Sequence, residues 1–136
     1  MNNFRELIVW QKSMVLVEDI YSVTSTFPSQ EIYGLTSQVR RSAISVPSNI
    51  AEGFGRNQTR DYIRFLQISS GSLYELETQL EIAFRLGYID NKKYIPINSL
   101  ALEIEKMLSS LIRKLKEKLK INIEVANNHF CLQSKA

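Results

Sequence analysis

The chain contains very little cysteine, histidine, proline or glycine. Its 136 residues include one cysteine, Cys131, and one histidine, His129. A single cysteine excludes an intrachain disulfide, and these two side chains fall short of the four ligands that a structural zinc site needs. Three prolines and five glycines favour long helices over a turn-rich β fold. The sequence therefore predicts a helical protein with no metal and no cofactor.

Long apolar runs are missing as well. The longest uninterrupted apolar runs are only a few residues, whereas a membrane-spanning helix needs roughly 20. Glu6 and Lys12 interrupt the N-terminal apolar stretch, which is not the pattern of a signal peptide. We therefore expect a cytoplasmic protein that has no membrane partner.

The residue patterns of common catalytic sites are also absent. Ser42, Ser45 and Ser72 have no neighbouring histidine in the sequence that could activate them as nucleophiles. The helical segments lack the Glu-x-x-His pairs that di-iron bundles use. We therefore predict no catalytic residues and no small-molecule substrate, and an enzyme would require a pocket with convergent titratable groups.

What the sequence does contain is helical periodicity, in four segments. The first is predicted over residues 5–26 and ends at Phe27-Pro28, because proline disfavours helical geometry in the residue before it. Apolar residues at intervals of three and four form one stripe, and others extend apolar character to a second face. The predicted inward stripe is Leu7, Trp10, Met14, Val17 and Tyr21, and the second face is Val9, Leu16, Ile20 and Val23.

The second helix begins at Leu35, and its residues sort into three faces. One face is apolar and is predicted to pack inward, with a polar stripe beside it. The third face, with Ile44, Pro47 and Ala51, is unusually apolar for a solvated surface, so this helix is expected to contact something besides its own bundle. The ring of Pro47 crowds the carbonyl of Ala43, which predicts a kink. The inward residues are Leu35, Val39, Ala43, Val46 and Ile50.

The polar stripe of the second helix has two interpretations. We favour a hydrogen-bonded network that joins helices or subunits, because buried polar groups are nearly always paired. In that interpretation Arg41 pairs with a carboxylate such as Glu52 of the same or a neighbouring chain. The alternative is that Arg41 and Asn49 contact RNA or a partner protein. The polar stripe consists of Gln38, Arg41, Ser42, Ser45, Asn49 and Glu52.

The segment Gly53-Phe54-Gly55-Arg56-Asn57 separates the second helix from the third. Glycines before a helix N-terminus can bind phosphate through free N–H groups, but no strand precedes them and the Walker lysine is missing. A turn between helices is the favoured interpretation. Asn57 is predicted to be the N-cap of the third helix.

The third and fourth helices have the clearest stripes. The third helix has four small residues at its middle, Ser69-Ser70-Gly71-Ser72, where glycine costs about 1 kcal/mol relative to alanine, and this predicts a close helix crossing as compensation. Gly87 is predicted to be a left-handed C′ residue. The fourth helix is predicted to start at Pro96 and to end at about Lys120. The third-helix stripe is Tyr62, Phe65, Ser69, Leu73, Leu76, Leu80 and Ala83, and the fourth-helix stripe is Leu100, Ile104, Met107, Leu108, Leu111, Leu115 and Leu119.

Four such stripes joined by short links predict an all-α fold, an up-down-up-down antiparallel four-helix bundle with its second helix kinked at Pro47. We predict that residues 1–120 form the bundle domain. Periodicity fades after this point, so residues 121–136 are predicted to form a flexible C-terminal tail.

The central motif comprises Gln38, Arg40-Arg41-Ser42, Ser45-Val46-Pro47 and Asn49-Ile50-Ala51-Glu52-Gly53. It resembles the signature of the bacterial 23S rRNA-intervening sequence protein family, and the resemblance extends from about Phe4 to Leu119. This resemblance implies a four-helix bundle that forms a homopentamer with a basic surface around a central channel. It also implies a precedent for RNA, since a relative, the accessory variability determinant protein of diversity-generating retroelements, is a basic pentamer that works with a reverse transcriptase and RNA.

The formal net charge of +3 is mild, but the basic residues are clustered. In a ring of five copies the formal charge becomes +15, a strong electrostatic surface. We therefore predict a homo-oligomer that binds nucleic acid, RNA in particular and DNA as a second possibility, through phosphate contacts. Arg56, Arg60 and Arg64 recur at i, i+4 and i+8 on one expected helix face. The candidate nucleic-acid-binding residues are Arg40, Arg56, Arg60, Arg64, Arg113, Lys114, Lys116 and Lys120.

The alternative hypothesis is a protein-interaction scaffold or accessory subunit that binds a protein partner without touching nucleic acid. Ile44, Pro47 and Ala51 distinguish the two hypotheses. Their exposure in the assembled oligomer would favour a protein partner, whereas burial between subunits would not.

Overall fold

The structure of the chain, a computed structural model, describes residues 2–135. All regular secondary structure in that part of the chain is helical. Two short 3-10 helices, Phe4–Glu6 and Ser29–Glu31, precede the first and second α-helices. The α-helices are α1 (Ile8–Thr24), α2 (Leu35–Phe54), α3 (Thr59–Arg85) and α4 (Asn91–Ser134).

Each helix packs against two others, so that the four form a closed ring. α1 packs on α2, α2 on α3, α3 on α4 and α4 on α1, whereas the diagonal pairs make no comparable contact among residues 2–135. Contact is most extensive between α2 and α3. Because short links make successive helices antiparallel, this arrangement confirms the predicted up-down-up-down four-helix bundle.

The core is one hydrophobic cluster to which every α-helix contributes a stripe. The predicted inward stripe of α2 is confirmed at Val39, Ala43, Val46 and Ile50, which are completely buried, while Leu35 is only half buried. The predicted α3 stripe is confirmed as well, with Tyr62 only half buried. The buried residues of α4 are Ile97, Ala101, Ile104 and Leu108.

The prediction for α1 chose the wrong face. Met14 and Tyr21, predicted to point inward, are 37% and 40% exposed, and Leu7, Trp10 and Val17 are half buried. The core receives the other apolar face instead. Both faces of α1 are similarly apolar, so periodicity alone could not tell which of them meets the core. The buried residues of α1 are Val9, Ser13, Leu16, Ile20, Val23 and Thr24.

The two ends of α3 differ in how well they were predicted. The N-cap is Gln58 rather than Asn57, so the predicted start is displaced by one residue. The C-terminus follows the prediction, because Gly87 has φ +79° and supplies the left-handed C′ conformation. The N–H of Tyr88 then donates to the carbonyl of Ala83 at 2.9 Å, which completes a Schellman motif.

The predicted close approach at the small residues is found at Ser69 and Ser72, which contact Val46 and Ser45 of α2 at 2.8 and 2.7 Å, and not at Gly71 itself. Gly71 is exposed, and a Cβ at this position would have no neighbour within 4 Å among the described residues. α2 and α3 also come close together at Gly53, where a Cβ would lie 2.8 Å from the Cβ of Phe65. A glycine is therefore needed at the end of α2 and not in the middle of α3.

The fourth helix is longer at both ends than predicted. It begins at Asn91 rather than Pro96, because the side chain of Asp90 accepts a backbone hydrogen bond of 3.0 Å and caps the helix. It also continues past the predicted end, to Ser134. Its 44 residues span about 66 Å, so its last turns project beyond the other helices. Residues 121–135 are exposed throughout, and their flexibility stays a prediction.

Candidate nucleic-acid interface

A groove of about 540 Å³ lies between α3 and α4, towards the C-terminal part of α4. We call it the basic groove, because three predicted basic residues line its α4 side at i, i+3 and i+7, on one face of that helix. The groove is lined by Gln67, Ser70 and Tyr74 from α3, and by Ser109, Ile112, Arg113, Lys116, Glu117 and Lys120 from α4.

The three cations of the basic groove form no ion pair with the residues that the structure describes. Arg113, Lys116 and Lys120 are all exposed. Glu117 is the only acidic side chain in the described lining. The basic groove therefore carries a net positive charge that a polyanion could neutralise.

Arg60 and Arg64 are the predicted basic residues that lie on α3. They share one helical face with Gln67 and Tyr74, because the four residues follow each other at i, i+4, i+7 and i+14. Since α3 and α4 are antiparallel, the start of α3 lies beside the C-terminal part of α4. Both arginines are exposed, but Arg64 pairs with Asp61 at 3.9 Å and lies over the ring of Phe65. Arg60 makes no ion pair among residues 2–135 and is the arginine that can extend the positive charge from the basic groove.

Arg56 does not belong to this row, contrary to the prediction of one continuous helix face. It lies in the link before α3 and donates to Oε1 of Glu52 at 2.9 Å. Its guanidinium is 4.7 Å from the ring centroid of Phe65, and that of Arg64 is 4.9 Å from the same centroid. The two arginines therefore meet over one aromatic ring and pack the α2–α3 corner.

Two other predicted basic residues lie away from the basic groove. Lys114 lines a separate groove of α4 together with Lys106. Arg40 lies at the opposite end of the bundle, where its Nε donates to Oγ1 of Thr24 at 2.9 Å and its guanidinium is 4.5 Å from the ring centroid of Tyr21. The structure thus brings together only part of the predicted set.

The polar stripe of α2 is bonded mainly to α3. The hydroxyl oxygens of Ser45 and Ser72 are 2.7 Å apart, and the hydroxyl of Ser42 donates to Oε1 of Gln79 at 2.9 Å. Ser69 of α3 donates to a carbonyl of α2 at 2.8 Å. Every fully buried polar side-chain atom among residues 2–135 has a hydrogen-bond partner. These bonds favour the structural interpretation of Ser42 and Ser45.

The other residues of the polar stripe are bonded locally or are exposed. Nδ2 of Asn49 donates to the carbonyl and the hydroxyl of the serine one turn earlier, at 2.8 and 3.0 Å. Gln38 and Arg41 are exposed. Glu52 pairs with Arg56 at 2.9 Å and not with Arg41 of the same chain. Arg41 is about 16 Å away along the helix axis, too far for a direct pair.

The glycine-containing segment after α2 forms a helix–helix turn. The N–H of Gly55 donates to the carbonyl of Ala51, and the N–H of Arg56 donates to that of Gly53. These bonds satisfy carbonyl groups at the C-terminus of α2. The two N–H groups are therefore occupied, which agrees with the favoured interpretation of a turn rather than a phosphate site.

An acidic pair borders the basic groove at Tyr74. Burial, the charge of Glu105 and a hydrogen bond to it raise the pKa of Glu77 to about 7. The charge of Glu105, followed by burial, also raises the pKa of Tyr74. The α3–α4 surface is therefore negative on one side of Tyr74 and positive on the other.

A second groove, of about 320 Å³, lies between α1 and α2. Its lining is almost entirely apolar, and Ile44 within it is 42% exposed. The α1 face that was wrongly predicted to enter the core thus combines with the apolar third face of α2. Ile44 and Met14 are the exposed apolar residues of this groove, whereas Pro47 is buried, contrary to its predicted place on a solvated face. A partly exposed apolar groove is typical of an interaction site. The apolar groove is lined by Trp10, Met14, Val17, Ile44, Pro47, Ser48 and Ala51.

Nothing in the described part of the chain points to catalysis. Among residues 2–135 no three His, Cys, Asp or Glu side chains are grouped so that they could hold a metal ion. His129 and Cys131 lie on the exposed end of α4, where Nε2 of His129 is 3.1 Å from the amide nitrogen of Gln133. No helix within the same range combines the length and apolar character needed to cross a membrane.

Sequence reasoning missed the α3 side of the basic groove. Gln67, Ser70 and Tyr74 were not among the candidates, although Gln67 and Tyr74 share a helical face with Arg60 and Arg64. That shared phase was a usable signal. The sequence of α3 alone could not reveal which face of α4 packs opposite these residues.

Two comparisons with known proteins show which proteins the chain is similar to. The family model of the 23S rRNA-intervening sequence protein matches residues 5–110. The chain is also similar to a crystal structure from Bacteroides thetaiotaomicron VPI-5482, a protein with unknown function from the S23 ribosomal protein family. The two sequences are 30% identical with a TM-score of 0.70, over 77% of this chain and 98% of that chain. None of the curated proteins matches the chain.

Proposed function

The chain belongs to the 23S rRNA-intervening sequence protein family, and from this premise we propose that it is a non-enzymatic, cytoplasmic homo-oligomer that binds RNA through phosphate contacts. The observation that carries the proposal is the basic groove. Three cations without ion-pair partners among the described residues line it, on one face of α4. Phosphate contacts of this kind fix a nucleic acid in place without reading its sequence.

Self-association would add the positive charges of several copies to the electrostatic potential of one basic groove. A chain of +3 is a weak electrostatic partner by itself, whereas five copies carry +15. The apolar groove between α1 and α2 supports self-association, since it leaves Ile44 exposed in the single chain. We take the oligomer to be a pentamer, with the apolar groove between subunits and the basic grooves repeated around the ring.

The experiment that tests this function has two parts. Light scattering on the purified protein measures the mass of the particle. Fluorescence anisotropy with a labelled RNA then measures affinity across a salt series. We expect a particle of several copies and an affinity that falls steeply with salt and depends little on sequence. A monomer, or a protein that binds no RNA at low salt, would contradict the proposal.

The exposed apolar groove also supports a second candidate function, a scaffold that binds a protein partner. Pro47 is buried within the single chain and Ala51 is half buried, so Ile44 decides between the two functions. If Ile44 stays accessible in the assembled particle, the apolar groove is free for another protein. Hydrogen exchange across this part of α2, measured in the intact particle, distinguishes a subunit interface from a free surface for a protein partner. Strong protection of α2 beyond that of the bundle core favours a subunit interface, and weak protection favours a partner.

A further inference from the structure

We propose that the basic groove takes an unpaired, single-stranded segment of nucleic acid, with a base stacked on Tyr74 and the phosphates on Arg113, Lys116 and Lys120. This inference rests on the proposed function and narrows it to one form of nucleic acid. Three features of the groove support it: an exposed aromatic ring, the spacing of the cations and the polar groups between them.

The aromatic ring is the feature that distinguishes a single strand from a duplex. Tyr74 is 50% exposed and lies on the α3 side of the basic groove. In a duplex both faces of a base are covered by its neighbours, so a protein ring can stack only on a base that has left the helix. Grooves that bind single strands combine aromatic platforms with a positively charged track. The basic groove has both.

The spacing of the cations fits a short segment. Arg113 and Lys120 are seven residues apart, about 10 Å along the axis of α4. The three cations can therefore contact consecutive phosphates of one short segment of a strand. With Arg60 on the neighbouring face of α3, the positively charged track continues beyond the groove itself.

Polar groups in the groove can bond to the edges of an unpaired base. Gln67 and Ser70 on α3 and Ser109 on α4 line the same groove as Tyr74. Amide and hydroxyl groups donate and accept, so each can meet any of the four bases. The groove therefore favours unpaired strands with little preference for sequence.

The acidic pair sets the direction in which the strand leaves Tyr74. Glu77 follows Tyr74 on α3 and Glu105 precedes Arg113 on α4, so in these antiparallel helices both lie towards the end of the bundle away from Lys120. The negative charge that this pair carries repels phosphates. The strand therefore extends from Tyr74 towards Lys120 and the start of α3. Binding should accordingly depend on Lys116 and Lys120 as well as on Tyr74.

The test compares a single-stranded uridine RNA of about 12 nucleotides with a blunt RNA duplex of about 12 base pairs, by fluorescence anisotropy on the full chain. We expect the single strand to bind more tightly. The variant Tyr74→Leu should weaken single-strand binding about 5- to 100-fold, while Tyr74→Phe should retain it. Tyr33→Leu is the matched control, since Tyr33 is 96% exposed and lies outside the basic groove.

The outcomes separate this inference from the proposed function. Equal binding of duplex and single strand, or an unchanged affinity of Tyr74→Leu, overturns the inference and leaves electrostatic RNA binding intact. Absence of any binding at low salt overturns both. Helical circular dichroism of Tyr74→Leu should match the parent chain, because the side chain is half exposed. A loss of affinity with Tyr33→Leu equal to that with Tyr74→Leu also counts against the inference.

Discussion

A Cβ on Gly53 would lie 2.8 Å from the Cβ of Phe65, because α2 and α3 come close together at the end of α2. The same Cβ would lie 3.0 Å from Cδ1 of Tyr62. Neither neighbour is the free end of a flexible side chain, so neither can move away easily. This contact fixes how the α2–α3 corner packs, and Arg56 and Arg64 lie over the ring of Phe65 at that corner.

The first prediction is that Gly53→Ala and Gly71→Ala change stability in opposite directions. Gly53→Ala should lower the free energy of unfolding by about 1–3 kcal/mol through overpacking. Gly71→Ala should raise it by about 1 kcal/mol, because that helical position is open. Urea denaturation measures both. A tolerated alanine at Gly53 would contradict the close packing, and a destabilising one at Gly71 would indicate that this residue packs against another chain.

The second prediction concerns pH and Glu77. Its folded-state pKa of about 7 lies above the ordinary value of 4.5, so the folded protein holds a proton that the unfolded chain has lost. Stability should therefore fall as pH rises from 4.5 to about 7 and level off above this. Burial, followed by the charge of Glu105 and a hydrogen bond to it, keeps this proton on Glu77. The charge of Glu77 in turn contributes to the raised pKa of the neighbouring Tyr74 and Tyr94.

Thermal unfolding of the parent chain and of Glu77→Gln at pH 5 and pH 8 measures this effect. The fall in melting temperature from pH 5 to pH 8 should be smaller for the glutamine variant than for the parent chain. Equal losses in the two proteins would show that Glu77 does not keep its proton near neutral pH.

The third prediction concerns the apolar groove. Ile44→Lys should break the oligomer while leaving the bundle folded, because Ile44 is 42% exposed in the single chain and its neighbours in the groove are apolar. Ile82→Lys is the matched control, since Ile82 of α3 is 44% exposed and lies outside this groove. Light scattering gives the mass of each variant. An Ile44→Lys protein with the parent mass would exclude this face as the subunit interface.

The fourth prediction concerns the projecting end of α4. Removing residues 121–136 should leave the melting temperature of the bundle almost unchanged, because residues 121–135 are exposed throughout. This deletion tests the prediction that residues 1–120 form the folded domain. A large fall in melting temperature would mean that the projecting turns are packed in the assembled particle.

The four-helix fold could be predicted because each helix carries an apolar stripe and the links between helices are short. α2 shows this most clearly, since its polar stripe and its inward face are distinct and Val39 and Ile50 are buried as predicted. α1 shows the limit. It has two apolar faces, and only the packed structure reveals that Leu16 enters the core while Met14 lies at the surface.

The candidate site could be predicted only in part, for a similar reason. The basic run of α4 is visible in the sequence, but the run alone does not show that Lys114 and Lys116 line different grooves. In the structure they line different grooves, because neighbouring positions on a helix point in different directions. Tyr74 becomes a candidate only when α4 is placed beside it.

The fifth prediction addresses the central claim, that the basic groove is where RNA binds. We compare two triple variants that remove the same charge from α4. One is Arg113→Gln with Lys116→Gln and Lys120→Gln, in the basic groove. The other is Lys106→Gln with Lys114→Gln and Lys118→Gln, outside its lining.

The measurement is the slope of log affinity against log salt concentration for a single-stranded RNA. The groove variant should lose about 2 from the magnitude of this slope, since each lost phosphate contact removes about 0.7. The control variant should keep the slope of the parent chain, apart from a small change. Equal losses in the two variants would contradict the account, because RNA would then respond to overall charge and not to the basic groove.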